Sequence, residues 1–222
     1  MIKLRKLQKP QVLEDNAEEW TKEYCSCLYS GGKPSRQMLS RYKDNEIKSL
    51  LIKETHGKCA YCESKLSHIT YGDVEHIFPK NKNARPDLYV EWSNLTLSCE
   101  QCNRSSKRDY YNENLPLINP YVDDPEQHFR DLGPLIMHRL GDDRAFVTKN
   151  ILDLNRASLV ERRTERIKLV EFLLISWAQE QDPNKKRVLE LELHHEYSED
   201  KEYSSTIKSY LRANGFPVEN KL

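Results

Sequence analysis

Apolar residues recur at helical spacing towards both ends of the chain and lose that spacing in between. Residues 14–29 carry a pattern that predicts a helix, and Gly31-Gly32 suits the left-handed turn that ends one. Ile47, Leu50 and Leu51 mark a second helix, with Asp44 at its cap and Gly57 closing it. From 57 to 112, Cys, Gly, His and Asn take over. Val74 and Ile77 predict a short strand at 73–78, stopped by Pro79, and Leu95 and Leu97 predict another that ends at Cys99. A short polar helix is expected from Asn103. Farther on, Asp124-Pro125-Glu126 has the form of a helix start. Residues 136–140 and 144–148 flank Gly141-Asp142-Asp143 and suggest a hairpin. The clearest helix is 157–180, where Leu159, Val160, Ile167, Val170, Leu173, Leu174 and Trp177 fall on one face. A last helix is expected at 204–213. The chain thus divides into an N-terminal helical segment (1–56), a compact centre (57–112) and a mixed, mainly helical extension (113–222).

The 222 residues carry no formal net charge. Contact with a polyanion must therefore come from a local basic patch, not from the chain as a whole. Lys3, Arg5, Lys6 and Lys9 are not followed by the long apolar run of a secretory signal. Phe172 to Ala178 is too short to span a bilayer. A cytoplasmic protein with no membrane partner is expected, and in that reducing setting clustered cysteines point to metal or catalysis.

Two pairs stand out: Cys59-Ala60-Tyr61-Cys62 and Cys99-Glu100-Gln101-Cys102. Two intervening residues let both thiolates of a pair reach one ion, and two such pairs complete a tetrahedral structural zinc site. The alternative, redox chemistry at one pair, lacks the strand–helix context it needs. Cys25 and Cys27 point to different faces of a helix and read as small apolar residues. The gap between the pairs is longer than a zinc ribbon needs, so something is built inside it.

That stretch holds Asp73-Val74-Glu75-His76-Ile77-Phe78-Pro79-Lys80, then Trp92-Ser93-Asn94-Leu95, and runs on to Asn103 directly after the last cysteine. An imidazole titrates near neutral pH and suits a general base, which makes His76 a candidate catalytic residue. Glu75 offers a hard oxygen to a divalent cation such as Mg2+ or Mn2+, and Asn103 can add a carbonyl oxygen. Adjacent strand residues face opposite ways, so Glu75 and His76 can serve different tasks. Lys80, Lys82, Arg85, Arg104, Lys107 and Arg108 face only Asp87, Glu91 and Glu100 in the same interval. They are candidate nucleic-acid contacts. Gly31-Gly32-Lys33-Pro34 is not a phosphate loop, and the His194-His195 pair reads as polar helix surface.

The joint order (paired cysteines, acid-His-hydrophobic-x-Pro, Ser-Asn-Leu, paired cysteines and Asn) resembles the HNH endonuclease family. The resemblance implies an α+β protein: a zinc-stapled ββα-metal core with N-terminal helices and a mainly helical C-terminal extension. It implies one structural Zn2+ on Cys59, Cys62, Cys99 and Cys102, and one catalytic divalent cation on Glu75 and Asn103. His76 takes the place of the general base, and Asn94 that of the residue orienting the base-bearing loop. Glu75 stands where Asp is more usual, and Asp73 is the substitute ligand. Asn119-Pro120-Tyr121-Val122-Asp123-Asp124-Pro125 and Leu152-Asp153-Leu154-Asn155-Arg156 extend the resemblance to PtuB-like HNH proteins of Septu and retron anti-phage systems. A PtuA-like ATPase is then the implied partner, joined in some systems by a retron reverse transcriptase and its reverse-transcribed DNA. DNA is the expected substrate. The alternatives are RNA, or a non-catalytic zinc-bound module that binds nucleic acid or a partner.

Overall fold

A computed structural model describes residues 1–66 and 72–218. Helix α1 (Gln11–Tyr29) begins earlier than the apolar pattern indicates, because the Pro10 carbonyl accepts the first N–H groups, from Leu13 and Glu14. Gly31, at φ 79°, turns the chain out of it. Helix α2 (Asn45–Glu54) starts at Asp44, whose side chain accepts the Glu46 N–H. Between the two lies a 3-10 turn, Met38–Lys43, that buries Tyr42.

The centre is a two-stranded antiparallel ribbon followed by a helical turn. In it β1 (Asp73–His76) pairs with β2 (Leu95–Ser98), Val74 lying opposite Leu97 and His76 opposite Leu95. The chain enters β1 through Gly72, at φ 66°, where a Cβ would lie 2.7 Å from a Leu66 methyl. Only glycine fits that conformation and that gap. The helical turn after β2, Gln101–Lys107, is π-helical, with the Arg108 N–H reaching the Asn103 carbonyl at 2.8 Å. It starts ahead of Asn103, and the wide winding changes which side chains point inward.

The extension opens with the short α3 (Pro125–His128), then the hairpin of β3 (Phe129–Leu132) and β4 (Leu135–His138). Four helices follow: α4 (Asp143–Ile151), α5 (Ala157–Gln179), α6 (Pro183–Glu196) and α7 (Ser204–Ala213). The expected hairpin about Gly141-Asp142-Asp143 is not there. Residues 144–148 belong to α4, and Asp142 is its N-cap, accepting the Ala145 N–H at 2.8 Å. The strand at 135–138 pairs backwards with β3 across Gly133-Pro134. An Asp after a glycine serves a turn or a helix start equally well, and here the cap wins.

Two cores hold these elements. One joins Leu13, Tyr24, Ile47 and Leu51 to Val90, Leu95 and Leu97 and then to Ile118, Leu152 and Leu154. The other packs Ile167, Val170 and Leu174 of α5 on Leu193 of α6 and on Ile207 and Leu211 of α7. Helix α5 belongs to both, since Leu159 lies in the first core. Arg163, buried between them, donates to the Pro134 and Leu154 carbonyls. The far side of α5 is also apolar: Leu169, Phe172 and Ile175 are exposed. Among the described residues, no helix is long and apolar enough to cross a membrane.

Candidate active site and metal centre

The two cysteine pairs meet because of backbone hydrogen bonds laid down by their own loops. The Cys59 N–H reaches the Ser64 carbonyl at 2.9 Å, and Glu63, at φ 64°, lets the chain turn tightly enough to return its N–H to Cys59. The Ala60 N–H bonds to the Leu97 carbonyl and ties this knuckle to β2. In the second knuckle the Cys102 N–H points at Cys99 Sγ, 3.4 Å away. All four sulfurs lie within 4.8 Å of one another, and three of the four residues are buried. Closely gathered sulfurs with an amide N–H aimed at one of them fit a tetrahedral zinc ion; Cys59, Cys62, Cys99 and Cys102 would hold it.

His76 ends β1 and is 5% exposed. Its Nε2 lies 2.8 Å from the Tyr89 carbonyl. A carbonyl only accepts, so Nε2 carries the hydrogen and Nδ1 keeps its lone pair. Burial, with Lys80 and Lys107 nearby, lowers its pKa to about 3, so the imidazole is neutral at physiological pH. The carbonyl that fixes it is itself held: Tyr24 stacks on Tyr89 at 4.0 Å, and Tyr42 meets His76 edge-on at 4.6 Å. The N-terminal segment thus forms one wall of the site.

Asn94 pins the loop that follows His76. Its Oδ1 accepts the Phe78 N–H at 2.8 Å, and its Nδ2 donates to the Phe78 and Leu88 carbonyls at 3.0 and 3.1 Å. Glu75 points inward beside them. Burial raises its pKa, against the pull of Lys107, whose Nζ lies 2.6 Å from Oε1. Lys107 also donates to the His76 carbonyl at 2.8 Å, and its side chain is 1% exposed. It lies beneath the expected basic surface, not on it. Asp73 takes the fork of Arg104 at 2.8 and 2.9 Å and, at 3.3 Å, the Asn103 amide.

A cleft of about 480 Å³ opens over these groups, lined by Asp73, Glu75, His76, Lys80, Asn103 and Arg104. Hard oxygens beside a neutral imidazole suit a divalent cation such as Mg2+. Of the other expected basic contacts, Lys82 and Arg108 are exposed, and Arg85 is engaged by Asp87 at 2.6 Å. Tyr42, Lys43 and Lys48 also line the cleft, and sequence reasoning missed them. Lys43 and Lys80 flank the Tyr42 ring, 5.6 and 4.9 Å from its centre. Their only signal in the sequence is basic residues around a tyrosine, far along the chain from His76.

The HNH endonuclease family profile matches residues 59–109, the interval that holds both knuckles and the cleft-lining strand. Over a wider span the chain is 32% identical to the Septu protein PtuB of Bacillus mycoides (strain KBAB4), across 59% of this chain and 54% of that one. With the Septu protein PtuB of Bacillus thuringiensis it shares 33% identity, across 78% of this chain and 64% of that one. It is 32% identical to a protein designated an HNH endonuclease of retron Vc95, from Vibrio cholerae serotype O1 biovar El Tor, across 52% and 60% of the two chains. The chain therefore spans 54–64% of the length of these relatives. No solved structure matches it. The knuckles, the ββ ribbon and the buried histidine coincide with the matched interval, and on both grounds residues 59–109 of this chain are a domain of the HNH endonuclease family, set in a longer chain similar to PtuB.

Proposed function

We propose that this chain is a divalent-cation-dependent endonuclease that hydrolyses phosphodiester bonds, with DNA as its substrate, and that it serves an anti-phage defence system. The observation that carries the reading is His76: Nε2 fixed on the Tyr89 carbonyl, Nδ1 with a free lone pair, and a cleft of carboxylate and amide oxygens beside it. His76 Nδ1 takes a proton from the attacking water. Glu75 and Asn103, with Asp73 as the substitute, would hold the cation; when bound it neutralises charge developing on the phosphate and the leaving oxygen. Asn94 keeps the base-bearing loop in place. Lys80, Lys43 and Arg104 contact flanking phosphates. The test is nicking of plasmid DNA with Mg2+ or Mn2+ against EDTA, with an RNA arm, in wild type and His76→Ala. The variant should keep its fold and lose about 10²–10⁴ in rate. Cleavage by His76→Ala at the wild-type rate would sink the assignment.

The defence role and a PtuA-like ATPase partner, with retron components in some systems, draw on the likeness to Septu PtuB and to the retron protein. The exposed Leu169, Phe172 and Ile175 on α5, and Val188 and Leu191 on α6, support a docking surface outside the HNH domain. Co-purification with the neighbouring gene product, with and without residues 157–222, tests it.

A further inference from the structure

Arg156 stands at the start of α5, outside the matched interval, yet its guanidinium reaches the cysteine cluster. Nη1 and Nη2 each lie 3.7 Å from Cys102 Sγ, and Nη2 lies 3.9 Å from Cys99 Sγ. Nη1 also faces the Asp153 and Leu152 carbonyls, at 3.2 and 3.4 Å, which hold the fork in this orientation. Asp153, at φ 46°, makes the turn that brings Arg156 round.

The electrostatic setting gives these contacts weight. Four thiolates around one Zn2+ leave a net charge of about −2 in a largely buried place. Buried charge is costly unless it is paired and hydrogen-bonded. The other nearby cations make their hydrogen bonds elsewhere, although the buried Nη2 of Arg163 has no partner among the described residues. Lys58 faces Glu63 at 3.4 Å and donates to the Lys201 carbonyl, and Arg163 donates to two carbonyls. Among the described residues, Arg156 is the cation with N–H groups placed against the sulfurs. Its planar fork meets two sulfurs and two carbonyls at once, which a lysine ammonium cannot do.

We propose that Arg156 is a positioning residue of the zinc centre: by donating to Cys99 and Cys102 it sets how firmly the ion is held, which makes the C-terminal extension part of the metal site. The proposal rests on the cysteine cluster binding zinc and is independent of nuclease activity. The experiment uses the full-length, zinc-loaded chain as wild type, Arg156→Lys, Arg156→Gln and Arg162→Gln, the last as a control at an exposed arginine on the same helix. Zinc transfer to a chromogenic chelator gives retention, and Co2+ substitution gives the sulfur-to-metal charge-transfer band. Loss of such an outer partner typically weakens metal binding by about 10–100-fold. Arg156→Gln should show a loss of that order and a shifted band with its circular dichroism unchanged. Arg156→Lys should fall between it and wild type, and Arg162→Gln should match wild type. Should Arg156→Gln not fold, Arg156→Lys decides alone, through its retention and band. Retention and band equal to wild type in a folded Arg156 variant, or equal loss in Arg162→Gln, would overturn the proposal. A wild-type chain that holds no zinc overturns the cluster reading and this proposal with it, while the nicking assay judges the nuclease separately.

Discussion

The ammonium of Lys107 sits between the Glu75 carboxylate and the His76 carbonyl, with almost no exposure to solvent. Removing one member of a buried ion pair strands the other, at a cost of about 3–5 kcal/mol. Lys107→Met should lower the unfolding free energy by that order in urea titration, and Lys107→Met with Glu75→Gln should recover part of it. A single variant as stable as wild type would mean that the pair carries no such weight. Asn94 presents a second case. Its side chain makes three hydrogen bonds at 2% exposure, so Asn94→Ala leaves partly buried Phe78 and Leu88 backbone groups unpaired. A loss of about 2–3 kcal/mol is expected, read from the shift of the urea midpoint at constant slope. The two residues differ in how they could be read. Asn94, His76 and the four cysteines were legible because their meaning lies in local order along the chain. Lys107 looks like any surface cation in sequence, and only the winding of the π-helical turn places it inside. Tyr42 and Lys43 reach the cleft from far along the chain, marked only by basic residues around a tyrosine, and the Leu152–Arg156 stretch carries nothing in sequence that points Arg156 to the cysteines.

Elements with strong apolar spacing were the readable ones. Ile47 and Leu51 in α2, Leu95 and Leu97 in β2, and the inward face of α5 lie where their periodicity places them. Short polar pieces were not. Gly141-Asp142-Asp143 satisfies the chemistry of a turn, but Asp142 caps α4 and its other oxygen lies 2.6 Å from His128 Nδ1. What decided it was tertiary: Ala145 and Thr148 of α4 are fully buried, and Thr148 Oγ1 accepts the Ile118 N–H. Asp142→Ala should cost about 0.5–2 kcal/mol. Burial alone would raise the Asp142 pKa, but the Ala145 N–H and His128 hold it below the ordinary value. A lowered folded pKa means that this contribution is fully present above the unfolded value of about 3.9 and fades as pH falls through the folded one. The stability gap between wild type and Asp142→Ala should therefore narrow on acidification from pH 5 to pH 3. A gap that stays constant there would show that the charge of the cap contributes nothing, and one that widens that folding favours its protonated form.

At the scale of the whole molecule, the HNH domain does not own its core. Tyr89, Val90, Leu95 and Leu97 are 0% exposed, and what covers them includes Leu13, Tyr24, Ile47 and Leu51 from before the domain and Ile118, Leu152 and Leu154 from after it. Polar ties cross the same boundaries. The Trp92 indole N–H donates to the Leu7 carbonyl at 2.9 Å, and Lys6 donates to the Leu95 carbonyl at 2.7 Å. A fully buried apolar side chain contributes about 1.5–3 kcal/mol relative to an exposed one. A domain fewer than about 60 residues long is already marginal, so uncovering several such side chains exceeds what a two-stranded ribbon can offset, even with a metal on its cysteines. An excised segment 57–112 should therefore still bind one zinc through its four cysteines, because their spacing is local, yet show no cooperative melting transition by circular dichroism. It should also nick no DNA, because Tyr24 and Tyr42 no longer hold Tyr89 and His76 in place. Restoring residues 1–56 alone should rebuild the wall of the cleft without the Arg156 contact to the sulfurs. The chain 1–112 is then expected to lose zinc to a chelator faster than the full-length protein. A 57–112 fragment that melts cooperatively within a few degrees of the full chain would refute this account, and would mean that the zinc and the ribbon suffice without their cover.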